Sequence, residues 1–359
     1  MNNIVITIIE FIFIFGFLAF IHELGHYLVA RLYKIEVEEF GFGFPPRLVK
    51  LFNFGNTEVT LNWIPFGAFV RPKGENNPEI AGGLAAAPPV ARIATMLGGP
   101  MMNIVAGILI FSFLLQSLGA ADTSKVKIMA VNAGSPAEQQ GIKPGDVVVS
   151  INRTSITDMN QMIELVTAYK GKEILMTLQR ADEILDIKIT PRISPPEGEG
   201  AMGIQMGYAT KPITYGEALL GSVRAVGEIA RQMILLPYNL IQGQIAPDQA
   251  RMVGPVGMYN IYDKAVQTDM QSTTTQNESL PFNTIYLIGM ISIAIGFTNL
   301  LPFPALDGGR ILFTLPELLF KRRVPPEYEN MVHLVGFAAL LMLMVYVTAQ
   351  DIINPIVLP

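Results

Sequence analysis

The chain has 359 residues, 50% of them apolar and only 15% charged, with a mean hydropathy of +0.40. Ordinary soluble domains carry about 25% charged residues, so a disordered chain and a single soluble globule are both excluded in favour of a membrane protein. Cysteine is absent, which removes disulfides, thiolate metal sites and cysteine nucleophiles. The net charge of −5 gives no basic footprint for nucleic acid.

Taken in chain order, the first apolar run is Ile4 to about Leu32, carrying Glu10 and the group His22, Glu23 and His26. It is too long for a signal h-region and lacks a basic n-region and a small-residue cleavage site, so it is read as a retained span. The connection that follows is apolar and β-like, with Val59–Leu61 and Ala68–Arg71 flanking Ile64-Pro65-Phe66-Gly67 and a turn at Gly55-Asn56. Ile93 to about Leu115 is the second span. From about Ser124 to Arg192 the sequence turns polar and reads as short strands, a helix at Asp158–Ala168 and Gly/Pro turns. That is a soluble insert of roughly 70 residues, near the lower limit for independent folding. Tyr215 to about Leu240 has the spacing of an amphipathic surface helix, and Gln267–Ser279, polar and without periodicity, reads as a mobile loop. The third and fourth spans are about Ile285–Leu301 and Met331–Thr348. Each of the four supplies about 17–25 residues, enough for a ~30 Å core.

Lys and Arg cluster in the first connection (Arg31, Lys34, Arg47, Lys50, Arg71, Lys73, Arg92) and the last (Arg310, Lys321, Arg322, Arg323). The positive-inside rule makes both cytoplasmic and puts the termini and the insert outside.

Chemistry concentrates in His22-Glu23-Leu24-Gly25-His26. On a helix, residues four apart share a face, so both imidazoles can reach one metal ion, with Glu23 placed to take a proton from a water. Two interfacial histidines beside a stray acid are the bland alternative, but ionisable groups inside a span are costly and default to function. His22 lies about 27 Å along the helix from Ile4, so the site falls within the membrane toward the cytoplasmic leaflet. Catalytic zinc usually takes three protein ligands. With cysteine absent and His333 isolated at the opening of span four, Asp307 is the better third candidate. It is the one acid in Asn299-Leu-Leu-Pro302-Phe-Pro304-Ala-Leu-Asp307-Gly308-Gly309, where prolines break the helix and glycines allow close backbone approach. A capping Asp at an ordinary helix end is the alternative.

Together these two motifs resemble the site-2 protease family of intramembrane zinc metalloproteases. The insert sharpens the likeness to its bacterial branch with a single PDZ domain: Ser135-Pro-Ala-Glu-Gln-Gln-Gly141-Ile-Lys-Pro144-Gly145-Asp146-Val-Val-Val-Ser-Ile-Asn152 looks like a PDZ helix-turn-strand signature. Gly98-Gly-Pro100-Met-Met-Asn103 and Gly254-Pro255-Val-Gly257 also resemble family segments. The resemblance implies one Zn2+ per chain held by His22, His26 and Asp307, Glu23 as general base, and Asn299 and Asn103 as substrate-binding residues. It implies a polytopic α-helical membrane protein with four transmembrane helices, a membrane-associated β-hairpin and an inserted α+β PDZ-like domain.

The expected divisions are 1–120 (spans one and two with the β-like loop), 121–200 (PDZ-like), 201–280 (amphipathic surface region and loop) and 281–359 (spans three and four). The expected activity is endoproteolysis, in the bacterial cytoplasmic membrane, of pre-trimmed single-span proteins such as anti-sigma factors or remnant signal peptides. The hairpin either pairs with an unwound substrate or only packs on the spans. The PDZ-like domain either binds a peptide C-terminus or regulator, or acts as a plug that excludes bulky substrates. The amphipathic helix is a gate or a brace. A non-catalytic adaptor with a structural metal, and a metal transporter, are the rival functions; the transporter predicts more intramembrane acids or an inverted repeat, and neither is present.

Overall fold

Apolar residues occupy every face of α1 (Asn2–Leu32), as expected of a helix surrounded by lipid and other helices rather than water. The computed structural model describes residues 2–244, 251–276 and 280–355. After α1 the chain forms a long antiparallel pair, β1 (Val37–Phe54) and β2 (Thr57–Pro72), joined at Gly55-Asn56, where Gly55 takes a φ of +62°. Both strands bend back on themselves. Phe40 therefore faces Val70 on one side and Val59 on the other, and the 68–72 segment becomes a sheet edge. Buried Glu39 staples the bend by accepting hydrogen bonds from Thr60 Oγ1 (2.7 Å) and Arg47 (2.8 Å) and pairing with Arg71 (2.6 Å). Burial alone would raise its carboxyl pKa, yet these partners hold it below the usual range. Phe40, Val37 and Ile35 pack with Tyr27 and Ala30 of α1 and with Met96 of α2 (Pro89–Leu118).

Clustering of contacts separates two units, Leu115–Tyr215 and the rest. The first is a sheet in the order β7-β6-β4-β3-β8, with a short β5 beside β4. Its elements are β3 (Ala120–Val131), α3 (Pro136–Gln139), β4 (Val147–Ile151), β5 (Thr154–Ser155), α4 (Met159–Ala168), β6 (Ile174–Arg180), β7 (Glu183–Ile189) and β8 (Ile204–Lys211). Alternating residues such as Val126, Ile128, Val148, Met176 and Leu178 fill its core against Met162 of α4. Ser135 and Asp158 cap the two helices through their side-chain oxygens. Asp146 receives Arg180 through both carboxylate oxygens (2.7 and 2.8 Å) and the Lys143 N–H (2.9 Å). The unit runs past the 121–200 bounds expected from sequence, because β8 pairs antiparallel with β3 and closes that side of the sheet.

The chain then forms α5 (Tyr215–Ile241), α6 (Pro255–Gln276), α7 (Phe282–Asn299), α8 (Asp307–Phe320) and α9 (Pro326–Ile353). In α5 one stripe, Ala218, Ser222 and Val226, is buried, while the exposed faces include apolar residues such as Leu219, Leu220, Val223 and Ile234. The expected loop at 267–279 is a different matter. Residues 267–276 continue α6, while 277–279 lie outside the described residues. The physical reason is Asp269, whose carboxylate accepts the backbone N–H groups of Asn283 and Thr284 and so caps the start of α7 from α6. Tertiary anchoring overrides weak apolar periodicity. Residues Ile4–Leu32 of α1, together with α2, α7 and α9, are each long and apolar enough to cross a membrane.

Candidate metal centre

His22 and His26 are one turn apart on α1, and small residues let α2 come close enough to back them. A Cβ on Gly25 would fall 2.7 Å from the Gly98 carbonyl carbon, and one on Gly99 would fall 2.7 Å from two ring carbons of His26. Only glycine allows that approach. Thr95, one turn before Gly99, turns its backbone carbonyl to the His26 ring, where Nδ1 lies 2.7 Å away. With Nδ1–H donated there, Nε2 is left with its lone pair facing inward.

Asp307 reaches the same point from the start of α8. Between Asn299 and Asp307 the chain folds back so tightly that a Cβ on Gly309 would fall 2.8 Å from the Phe303 carbonyl carbon. Ala305 adopts a φ of +77° without being glycine. That strained turn is held by His333 of α9, whose Nδ1 accepts the Ala305 N–H at 2.8 Å.

His22 Nε2 lies 3.1 Å from His26 Nε2 and 3.1 Å from Asp307 Oδ2, and His26 Nε2 lies 3.4 Å from Asp307 Oδ2. A tetrahedral zinc with bonds of about 2.0–2.1 Å has edges of about 3.3–3.4 Å between ligand atoms. The triangle therefore matches one face of such a site, and the two-nitrogen, one-carboxylate donor set suits catalytic rather than structural zinc. Glu23 stands beside it and accepts the Val70 N–H from the edge of β2 at 2.9 Å. All four side chains line a cavity of about 260 Å³, whose wall also includes Asn299 and Arg310. Arg310 is paired with Glu75.

Of the residues singled out from sequence, His22, Glu23, His26, Asp307 and Asn299 meet at this cavity. Asn299 holds its side chain by donating to the Ile295 carbonyl at 3.0 Å. Asn103 does not join them. It is fully buried in α2, with its Nδ2 3.4 Å from His22 Nδ1, behind the ring rather than on the cavity wall. Facing α7 fixes it there, since its backbone carbonyl accepts the Ser292 hydroxyl. Three contributors were invisible in the sequence: the Thr95 carbonyl, the Val70 N–H and the Ala305 N–H on His333. All three are backbone groups, which residue type does not announce, and the third sits at a positive φ that no glycine marks.

Residues 10–343 match the family model for peptidase family M50. A candidate zinc metalloprotease of Clostridium perfringens is 31% identical over 96% of this chain and 99% of its own length. The zinc metalloprotease RasP of Oceanobacillus iheyensis is 28% identical over 96% and 98%. Among solved structures, the PDZ domain of an SdrC-like protein from Listeria monocytogenes matches 23% of this chain and 87% of that chain at 19% identity, with a TM-score of 0.21. With nearly its whole length matched, the chain belongs to peptidase family M50, the site-2 protease family of zinc metalloproteases.

Proposed function

We propose that the protein is an intramembrane zinc endopeptidase of the bacterial cytoplasmic membrane that cuts within the transmembrane segments of pre-trimmed single-span proteins. The observation that carries this is the meeting of His22, His26 and Asp307 with Glu23 at one cavity walled by apolar helices. His22, His26 and Asp307 would hold the zinc, which when bound supplies Lewis acidity toward a water and a peptide carbonyl. Glu23 takes the proton from the attacking water and delivers it to the leaving amine. Its carboxylate is engaged with the Val70 N–H, and an extended substrate pairing with the 68–72 edge would compete for that donor. Substrate docking then frees the base at the moment it is needed.

A route for an apolar substrate supports the same reading. A second cavity of about 420 Å³ follows one face of α7, Leu287, Ile291, Ile295 and Thr298, beneath Met258 and Ile261 of α6. Asn299 lines both cavities, which supports it as the residue that takes the unwound substrate backbone. The Lys/Arg bias orients the metal site toward the cytoplasm, with the Leu115–Tyr215 unit and the termini outside. In that unit a cavity of about 240 Å³ lies between α4 and the edge strand β8, lined by Met162, Ile163, Val166, Met202, Ile204 and Met206. An apolar C-terminal residue of a peptide fits it, adding as a strand to β8.

The test is cleavage of a tagged single-span reporter in liposomes, with bound zinc measured in parallel. Wild type should cut within the span. Glu23→Gln should keep its metal and lose cleavage by at least about 10²–10⁴-fold, the usual contribution of a general base, and Asp307→Ala should lose metal and activity together. Cleavage by Glu23→Gln at the wild-type rate would refute the assignment.

A further inference from the structure

Asn103 has no exposed surface, yet its Oδ1 is buried without a hydrogen-bond partner while its Nδ2 sits 3.4 Å from His22 Nδ1. Which amide atom faces the ring has to be assigned from the groups around it, and that choice calls for an explanation. The position of the amide supplies one. An imidazole that presents Nε2 to a metal keeps its remaining proton on Nδ1, and that N–H needs an acceptor. For His26 the acceptor is the Thr95 carbonyl at 2.7 Å. For His22 the group in the equivalent place is Asn103. An NH₂ facing an N–H sets donor against donor. The amide turned by 180° fills the same volume and brings the unpaired Oδ1 onto the ring nitrogen.

We infer that Asn103 is a positioning residue whose Oδ1 accepts the Nδ1 proton of His22 and so aims Nε2 at the point shared with His26 and Asp307. The inference rests on the metal-binding reading of His22 and replaces the substrate contact expected of Asn103. Two features prepare the residue for the task. The Ser292 hydroxyl holds its backbone carbonyl at 2.8 Å, tying α2 to α7. Four residues earlier, Gly99 clears the space into which His26 fits, so one face of α2 sets the positions of both rings.

The experiment is zinc retention by the full-length protein in detergent against rising chelator, for wild type, Asn103→Leu, Asn103→Asp and, as a ligand-loss reference, Asp307→Ala. Asn103→Ala is run as well, because it removes the acceptor without adding bulk. Loss of an orienting partner lowers metal affinity about 10–100-fold. Asn103→Leu and Asn103→Ala should therefore release zinc at correspondingly lower chelator, while Asn103→Asp, which keeps an acceptor, stays near wild type. With zinc saturating, capture of the reporter by a Glu23→Gln protein should be unaffected when Asn103→Ala is added. Three results overturn the proposal: Asn103→Ala and Asn103→Leu retaining zinc like wild type while Asp307→Ala loses it, Asn103→Asp losing as much as Asn103→Ala, or reporter capture falling with zinc in place. The last would return Asn103 to a substrate role. A wild type that binds no zinc at all overturns the metal reading itself, an outcome distinct from these three.

Discussion

Gly99→Ala adds one methyl group and should weaken the hold on the metal. The new Cβ would lie 2.7 Å from Cδ2 and Cε1 of His26 and nearer still to Nε2, whereas ordinary contact begins at 3.4 Å. Something must yield by roughly 1 Å. α2 has no room to retreat, because α7 packs against its other side, where a Cβ on Gly296 would already fall 2.8 Å from the Pro100 carbonyl oxygen. The ring therefore has to tilt away, which stretches its 2.7 Å contact with the Thr95 carbonyl and opens a donor triangle whose edges are only 3.1–3.4 Å. Overpacking should cost about 1–3 kcal/mol of stability. Misplacing a ligand should lower zinc affinity by at least the ~10–100-fold seen when a ligand's orienting partner is lost. Gly107→Ala is the matched control. Its Cβ would press closest on Ile293 Cγ1 and fall 3.0 Å from Ile293 Cδ1, so it carries a similar packing penalty two turns along α2 from Gly99. Chelator titration and thermal melting in detergent read the two effects separately. Both variants should melt lower, and only Gly99→Ala should release zinc early. Equal zinc retention in the two would refute the claim that α2 places His26.

Two further predictions use groups away from the metal. His333→Phe removes the acceptor of the Ala305 N–H, leaving a donor at a strained turn unpaired at about 1–3 kcal/mol. Zinc retention should fall, but by less than in Asp307→Ala, and a variant indistinguishable from wild type would show that the turn holds itself. In the Leu115–Tyr215 unit, Asp146→Asn should cost about 2 kcal/mol, less than the ~3–5 kcal/mol of a fully buried pair because Arg180 is partly exposed. Burial opposes ionisation of Asp146, but Arg180 and the Lys143 N–H outweigh it and hold the carboxyl below its ordinary value of 3.8. A depressed carboxyl stabilises the fold above its unfolded pKa and loses that contribution as pH falls through the lower folded value. Limited proteolysis across the unit should therefore accelerate below about pH 4 in wild type and show a weaker acid dependence in Asp146→Asn.

Much of this architecture could be read from residue pattern, and what escaped has a common cause. Runs of apolar residues long enough to cross a bilayer leave little choice of structure, since backbone polar groups in lipid must be satisfied within a helix. The four long helices thus follow from composition. His22, Glu23 and His26 were legible because helical geometry converts a spacing of four into one face. Asp307 was legible because Pro302, Pro304, Gly308 and Gly309 announce irregular backbone around a lone acid. Position in depth was not legible. Asn103 shares a helix segment with the conspicuous glycines, but whether it faces the cavity or the back of His22 depends on how α2 is rotated. The α6 segment at 267–276 escaped for a related reason: its stabilising contact is its own Asp269 carboxylate accepting N–H groups from the start of the next helix, which periodicity does not register. Strand β8 follows a Pro/Gly-rich stretch that reads as a linker, and only its pairing with β3 brings it into the sheet.

The elements around the cavity differ in the backbone group each leaves unpaired, and that difference explains how a polar site persists among apolar helices. α1 is an uninterrupted helix, so it offers side chains alone, His22, Glu23 and His26. α8 begins at the cavity and places Asp307 in its first turn, where the unpaired N–H groups of a helix start favour a carboxylate. The 68–72 segment of β2 is an edge, so its outward N–H groups have no strand partner, and Val70 spends one on Glu23. The Glu23 carboxylate thus answers a backbone demand of another element, the edge of β2. The Val70 N–H can change partner without breaking secondary structure, because an incoming strand would supply an equivalent acceptor. On the proposed mechanism, substrate recognition and release of the base would be one event. Replacing the strand edge by a helix would leave Glu23 without a partner that an extended peptide could displace.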